Sequence, residues 1–376
     1  MTRRHKIVVA LSIVLGTVIS IQAQQQRPEP SPAATPPEEP VRVFTEEVRL
    51  PVVATDQYGH YDPSVSPDDI LVLEDGVAQQ IRSVRHIPAN VVLVLDTGGE
   101  FSGIGGVSKK TSLTRDVAAA FVNQLAANTW IATLQFNNKV EVIQPWTQDR
   151  QAIAKALKSK LSSGKRARFA DAITAAAEQL KDRPEGSRHV VLITDGVESA
   201  GGKTDRTQAI KRLLSARATI HIISYTAFVL QKDKKNNPPF ETGQLPTSHD
   251  PISSNDPTMP PGQTRSPTYG VTVRFDPAMR RQRKAYEADV KKSERSLTEL
   301  ADESGGRIYL PIADNEMIAR AREAALEIGS EYVVTYRPKR PLAAAPPGEY
   351  RRIDVASRRV GLTLRSRRGY VVPSQP

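Results

Sequence analysis

Asp96 and Asp195 are the residues best placed to do chemistry. Each closes an apolar run: Val91-Val92-Leu93-Val94-Leu95 before the first, Val190-Val191-Leu192-Ile193-Thr194 before the second. A carboxylate at such a strand end either offers hard oxygen to a ligand or caps its own loop by accepting from nearby N–H groups. Thr97, Gly98, Gly99 and Glu100 follow Asp96, and Ser102–Ser112 reads as a mobile loop beside it. A second basic loop, Lys165-Arg166-Ala167-Arg168, precedes Asp171. Its cations would repel a metal, or replace one by pairing with Asp96 and Asp195.

The usual catalytic signatures are missing. The chain has no cysteine, which excludes disulfides, thiol catalysis, cysteine-ligated zinc and a cysteine-linked lipid anchor. None of the six histidines is paired at metal-ligand spacing, so His189 and His221 read as structural or exposed residues near strand starts. Gly103-Ile104-Gly105-Gly106 lacks the Gly-Lys-Ser/Thr ending of a phosphate loop. Asp96-Thr97-Gly98 matches an aspartic-protease tripeptide, but that chemistry needs two such loops in all-β lobes. No Gly-x-Ser-x-Gly elbow occurs. The expectation is a non-enzyme with no catalytic residue.

The elements that must hold the two aspartates alternate. Continuous apolar strands at 91–95, 130–136, 189–194 and 219–225 are separated by helical spacing at 113–125, 150–161, 170–181 and 207–216. Strands without polar alternation are buried on both faces, and strand–helix alternation implies a mainly parallel sheet covered on both sides. A charged helix from about 279 to 304, a strand at 307–310 and a helix at 315–328 complete an α/β domain over 89–330. Within it, 231–270 is rich in Pro, Asn, Ser and Lys and is expected to be a disordered insertion.

Both flanks are β. Residues 41–88 hold strands at 41–44, 48–53 and 70–73, an Asp75-Gly76 hairpin turn, and a return strand at 80–85. Residues 331–373 hold four more. Each flank is too small to fold alone, so the two are expected to pair into one β-sandwich into which the α/β domain is inserted.

At the ends of these strands the sequence resembles a known family. Val91–Asp96, the loop before Asp171-Ala172-Ile173, and Leu192-Ile193-Thr194-Asp195-Gly196 resemble von Willebrand factor type A domains. Val53-Ala54-Thr55-Asp56, Ile70–Gly76 and Arg367-Arg368-Gly369-Tyr370 look like the secreted von Willebrand factor A-related proteins of Acidobacteria. The resemblance implies a Rossmann-like, doubly wound sheet that binds other proteins, often through Mg²⁺ held at the strand tops. The family's metal motif is Asp-x-Ser-x-Ser, a Thr in a second loop and a later Asp. Here Asp96 and Asp195 match the two Asp positions, Gly98 and Glu100 replace the two Ser, and Ala167 replaces the Thr. The motif is degenerate. The expected cofactor is none, with Mg²⁺ on Asp96, Glu100 and Asp195 as the alternative, and the expected interaction face is Thr97, Gly98, Gly99, Ala167 and Arg168.

Arg3, Arg4, His5 and Lys6 precede an apolar run, Ile7–Ile21, and a small residue, Ala23. This is the layout of a signal peptide over 1–23. The run is short for a membrane span, so membrane attachment would require an uncleaved anchor. A Pro/Gln-rich linker over 24–40 follows. The net charge of +11 is scattered, and aromatics make up only 5%. Without aromatic interleaving among the basic residues, nucleic acid is not an expected partner. The expectation is a secreted or envelope protein-binding module of adhesion type, with a structural or assembly factor acting through its β flanks as a further reading.

Overall fold

The computed structural model describes residues 47–98, 111–199, 201–236, 240–244, 269–273, 277–346 and 348–372. The expected signal peptide, linker and 41–44 strand lie outside the described residues.

The chain enters through four short strands, β1 (Val48–Thr55), β2 (Ile70–Glu74), β3 (Val77–Ala78) and β4 (Ile81–Arg85). The α/β region follows as β5 (Asn90–Asp96), α1 (Thr111–Gln124), β6 (Trp130–Phe136), β7 (Val140–Thr147), α2 (Arg150–Ser159), α3 (Phe169–Leu180), β8 (Arg188–Thr194), α4 (Arg206–Ser215) and β9 (Thr219–Ser224). It continues as α5 (Thr226–Asn236), β10 (Phe240–Gln244), β11 (Tyr269–Val273), α6 (Pro277–Ser304), β12 (Ile308–Tyr309) and α7 (Asp314–Ser330). The chain leaves through β13 (Tyr332–Tyr336), β14 (Tyr350–Ser357), β15 (Thr363–Ser366) and β16 (Gly369–Val371).

The central sheet has the order β12-β9-β8-β5-β6-β7 and is parallel except for β7. The apolar run of β5 divides its side chains between two cores. Val91, Leu93 and Leu95 pack with α1, α2 and α7, whereas Val92 and Val94 pack with α3, α4 and α6. An uninterrupted apolar strand is therefore what both faces require. From β5 the chain proceeds to β6 on one side, and from β8 to β9 on the other. The gap above β5 and β8 is thus a topological switch point, the usual ligand position of open α/β sheets.

The flanks do pair. One sheet runs β15-β1-β13-β4 and the other β16-β14-β2-β3, each mixing strands from both chain ends. Val48, Leu50 and Val52 of β1, Ile70 and Val72 of β2, Val334 of β13 and Ile353 of β14 share one core. Inside it, Glu74 accepts from Arg351 (2.8 Å), Tyr336 (2.8 Å) and Tyr370 (3.1 Å), tying the first β segment to the last.

Two expectations need correction. Asp75 and Gly76 turn with φ of +48° and +79°, as a two-residue hairpin needs, but the returning strand is the short β3. Residues 81–85 cross to the other sheet, because β4 pairs with β13. Where residues 231–270 are described, they are the end of α5, β10 and the start of β11, and β10 pairs antiparallel with β11, Phe240 opposite Val273; the rest of the expected insertion lies outside the described residues.

Candidate functional site

Four loops meet above the switch point, stitched by hydrogen bonds. Gly164 donates its N–H to the Thr97 carbonyl (3.0 Å), and the Asn137 amide donates to the Thr97 hydroxyl (3.2 Å) and the Ser162 carbonyl (3.0 Å). Ala167 donates to the Ser199 hydroxyl (2.8 Å), and Ser199 donates back to the Ala167 carbonyl (2.9 Å). The Arg168 guanidinium spans the Asn138 and Gly201 carbonyls, both at 2.6 Å. Segments that follow β5, β6 and β8 and precede α3 are thereby fixed relative to one another.

Asp96 and Asp195 sit at the bottom of this cluster, both buried. Each carboxylate accepts from the N–H two residues on: Gly98 to Asp96 Oδ1 at 3.1 Å, and Val197 to Asp195 Oδ1 at 3.0 Å. These are Asx-type loop caps. Asp96 Oδ2 also accepts from the Thr194 hydroxyl at 2.7 Å. Below Asp96, Thr114 of α1 and Tyr225 after β9 are joined hydroxyl to hydroxyl at 2.7 Å. Burial, reinforced by the nearby Asp96 and Asp195 charges, pushes the Tyr225 phenol well above its ordinary range.

The cation facing this site comes from a different loop than the sequence suggested. Arg166 is exposed, and Arg168 turns to backbone carbonyls and to Asp171 at 3.7 Å. The cation beside Asp195 is Arg206, the first residue of α4. It donates to the Gly196 carbonyl at 2.6 Å and lies 4.8 Å above the Phe169 ring. Burial lowers its pKa, while Glu198 and Asp195 hold its charge in place. Glu198 caps α3 by accepting from the Ala170 N–H at 2.7 Å, and burial raises its carboxyl. Sequence spacing did not mark either residue: Arg206 lies beyond the motif positions, and Glu198, three residues after Asp195, matches none of them.

Among the described residues, the donor set falls short of a divalent-ion site. Among the described residues no group of three or more His, Cys, Asp or Glu side chains could hold a metal. Ala167 is buried and brings no hydroxyl. At Gly98, a Cβ would stand 1.9 Å from the Arg166 carbonyl oxygen, so backbone fills the space a ligating side chain would need there. Gly99 and Glu100 lie outside the described residues.

Residues 91–198 match the family model of the von Willebrand factor type A domain. The chain carries a von Willebrand factor type A domain. Solved structures to which it is similar include an aerotolerance-related membrane protein from Bacteroides fragilis, at 17% identity over 64% of this chain and 98% of that one (TM-score 0.37). A von Willebrand factor type A protein from Catenulispora acidiphila shares 11% identity over 85% of this chain and 72% of that one (TM-score 0.41). The vWF domain of the type V pili tip protein Mfa5 from Porphyromonas gingivalis shares 16% over 30% and 40% (TM-score 0.26). No curated protein matches the sequence.

Within the type A domain, Thr97, Gly98 and Ala167 are buried. They seat the loops rather than present a surface, which corrects their expected role as an interaction face. Exposed positions of the same loops include Lys165, Arg166, Gly201, Gly202 and Lys203.

A second titratable cluster lies where the type A domain meets the sandwich. His189 and His221, on neighbouring strands, are both buried and stacked at 6.0 Å. His189 Nε2 is 3.4 Å from Glu331, and His221 Nδ1 is 3.3 Å from Glu327. Burial pushes Glu331 up to about 8 and His189 down to about 3, so both members of that pair are neutral near pH 6. Glu327 differs. Burial opposes its ionisation, but His221, Arg365 and Arg307 hold its carboxyl at about 2. The two histidines are thus structural, and neither is exposed.

Proposed function

We propose that this chain is an exported protein-binding module whose type A loop face captures its partner without a metal ion. The observation that carries the reading is the state of Asp96 and Asp195. Their carboxylates accept from Gly98, Thr194 and Val197, and Arg206 supplies positive charge beside Asp195. A site wired this way keeps the shape of the strand tops while its acids cap loops. The exposed Lys165 and Arg166 favour an acidic partner surface. The signal-peptide layout of residues 1–23 supports delivery to the envelope or beyond.

Calorimetric titration of the full chain with Mg²⁺ and Mn²⁺ tests the metal independence, with Asp96→Ala as control. No saturable heat at millimolar metal is expected. Saturable binding lost in the Asp96 variant would replace this reading with a metal-bridged one. The loop face is tested by partner capture from an envelope extract. Lys165→Glu with Arg166→Glu should abolish what the wild type retains in chelator, and unchanged capture would move the surface elsewhere.

A further inference from the structure

The outer face of the sandwich sheet β15-β1-β13-β4 carries a cavity of about 290 Å³, near the small end of ligand pockets. Arg49, Arg82 and Arg85 line it with the hydroxyl-bearing Ser83 and Thr335. Strand register explains the convergence. Arg49 stands opposite Thr335, which stands opposite Ser83, and Arg85 lies opposite Val333 one step along. Between Thr335 and Tyr336 the pairing slips, so Tyr336 faces Ile81 and Arg82 has no partner across the ladder. Such a bulge re-aims a side chain, and it brings Arg82 into the lining beside Ser83.

Among the described residues the lining carries three guanidinium groups and one carboxylate, that of Glu47, 3.7 Å from Arg82. Among the described residues no carboxylate forms an ion pair with Arg49 or Arg85, and Arg85 makes only a long bond of 3.4 Å to Ser83. Elsewhere on the same sandwich, several arginines are paired. Arg340, Arg351, Arg352 and Arg368 reach carboxylates at 2.7, 2.8, 3.0 and 3.2 Å. Guanidinium forks supply donors and no acceptor, so three of them in one concavity call for a multiply charged, all-acceptor ligand.

We propose that this cavity binds a phosphoryl group. The site is separate from the loop face and does not depend on the function proposed above. Its ligand is either a soluble phosphate monoester or the phosphate of a lipid headgroup, and the chemistry of recognition is the same.

The test is calorimetry of the full chain with inorganic phosphate and glucose 6-phosphate, and sedimentation with phosphatidylglycerol vesicles. Saturable binding is expected, weakened roughly tenfold or more in Arg49→Gln/Arg85→Gln, as loss of charge-assisted hydrogen bonds requires. Arg212→Gln/Arg322→Gln removes equal charge from exposed helix positions and should leave binding unchanged. Glu47→Gln should tighten it, a gain that a misfolded variant cannot produce. Binding of glucose 6-phosphate alone assigns a soluble ligand. Vesicle binding that glucose 6-phosphate displaces assigns a headgroup. Absence of saturable binding to any of the three, or equal weakening in both double variants, overturns the proposal.

Discussion

Replacing Glu327 by Gln should cost this protein about 3 kcal/mol at pH 7. The side chain is fully buried on α7, where it receives Arg365 of β15, lies 3.6 Å from Arg307 Nε and lies 3.3 Å from His221 Nδ1. Burial alone would raise its carboxyl, yet these cations and the imidazole hold it at about 2, against 4.5 for a free glutamate. A depression of that size is worth about 1.4 kcal/mol per unit, hence the figure of about 3 kcal/mol. Because the folded pKa is lowered, the stabilisation is fully present above pH 4.5 and is lost as pH falls through about 2. The variant cannot titrate at this position. The gap between wild type and variant should therefore shrink to roughly half between pH 7 and pH 3. Urea unfolding followed by tryptophan fluorescence measures it, since Trp130 and Trp146 both lie in the α/β region. A gap below about 1 kcal/mol at pH 7, or one that does not change with pH, would refute the reasoning.

Other outcomes follow from the same cluster and from the loops. Glu331 is held protonated, at about 8 against 4.5, so its contribution is full below pH 4.5 and lost as pH rises through about 8. The wild-type melting temperature should fall between pH 6 and pH 9, and Glu331→Gln should flatten that fall; an unchanged slope counts against the assignment. Gly98→Ala must push a methyl into the Arg166 carbonyl. A loss of about 1–3 kcal/mol, typical of overpacking, is expected in thermal melts, with faster amide exchange at residues 164–168; a neutral result would mean the loops are not packed as described.

Much of the α/β architecture was legible before any coordinates, because a buried parallel strand has to be apolar on both faces and its helices apolar on one. The runs 91–95 and 190–193 carry that signature without ambiguity. Pairing of the β flanks was also legible, since neither segment buries enough surface alone. The β3/β4 division was not: residues 80–85 alternate acceptably for either sheet, and only the partners available in three dimensions assign them to β13. Helix α5 was hidden for a similar reason, since Phe228 and Val229 in its first turn are held by the core under the central sheet rather than by local periodicity.

For the candidate site, the sequence by itself determined that Asp96 and Asp195 each close an apolar strand and that Ala167 brings no hydroxyl to the second loop. Those are facts of residue type and order. Tertiary structure decided what the two acids do, which cation lies beside Asp195, and which loop residues meet solvent. Arg206 lies 110 residues beyond Asp96 in the chain, and no local pattern marks it. Thr97, Gly98 and Ala167 look like loop surface in one dimension and are buried in three. The reason is physical: hydrogen-bond partners and burial depend on distances between segments far apart in sequence, whereas strand and helix periodicity depends only on near neighbours.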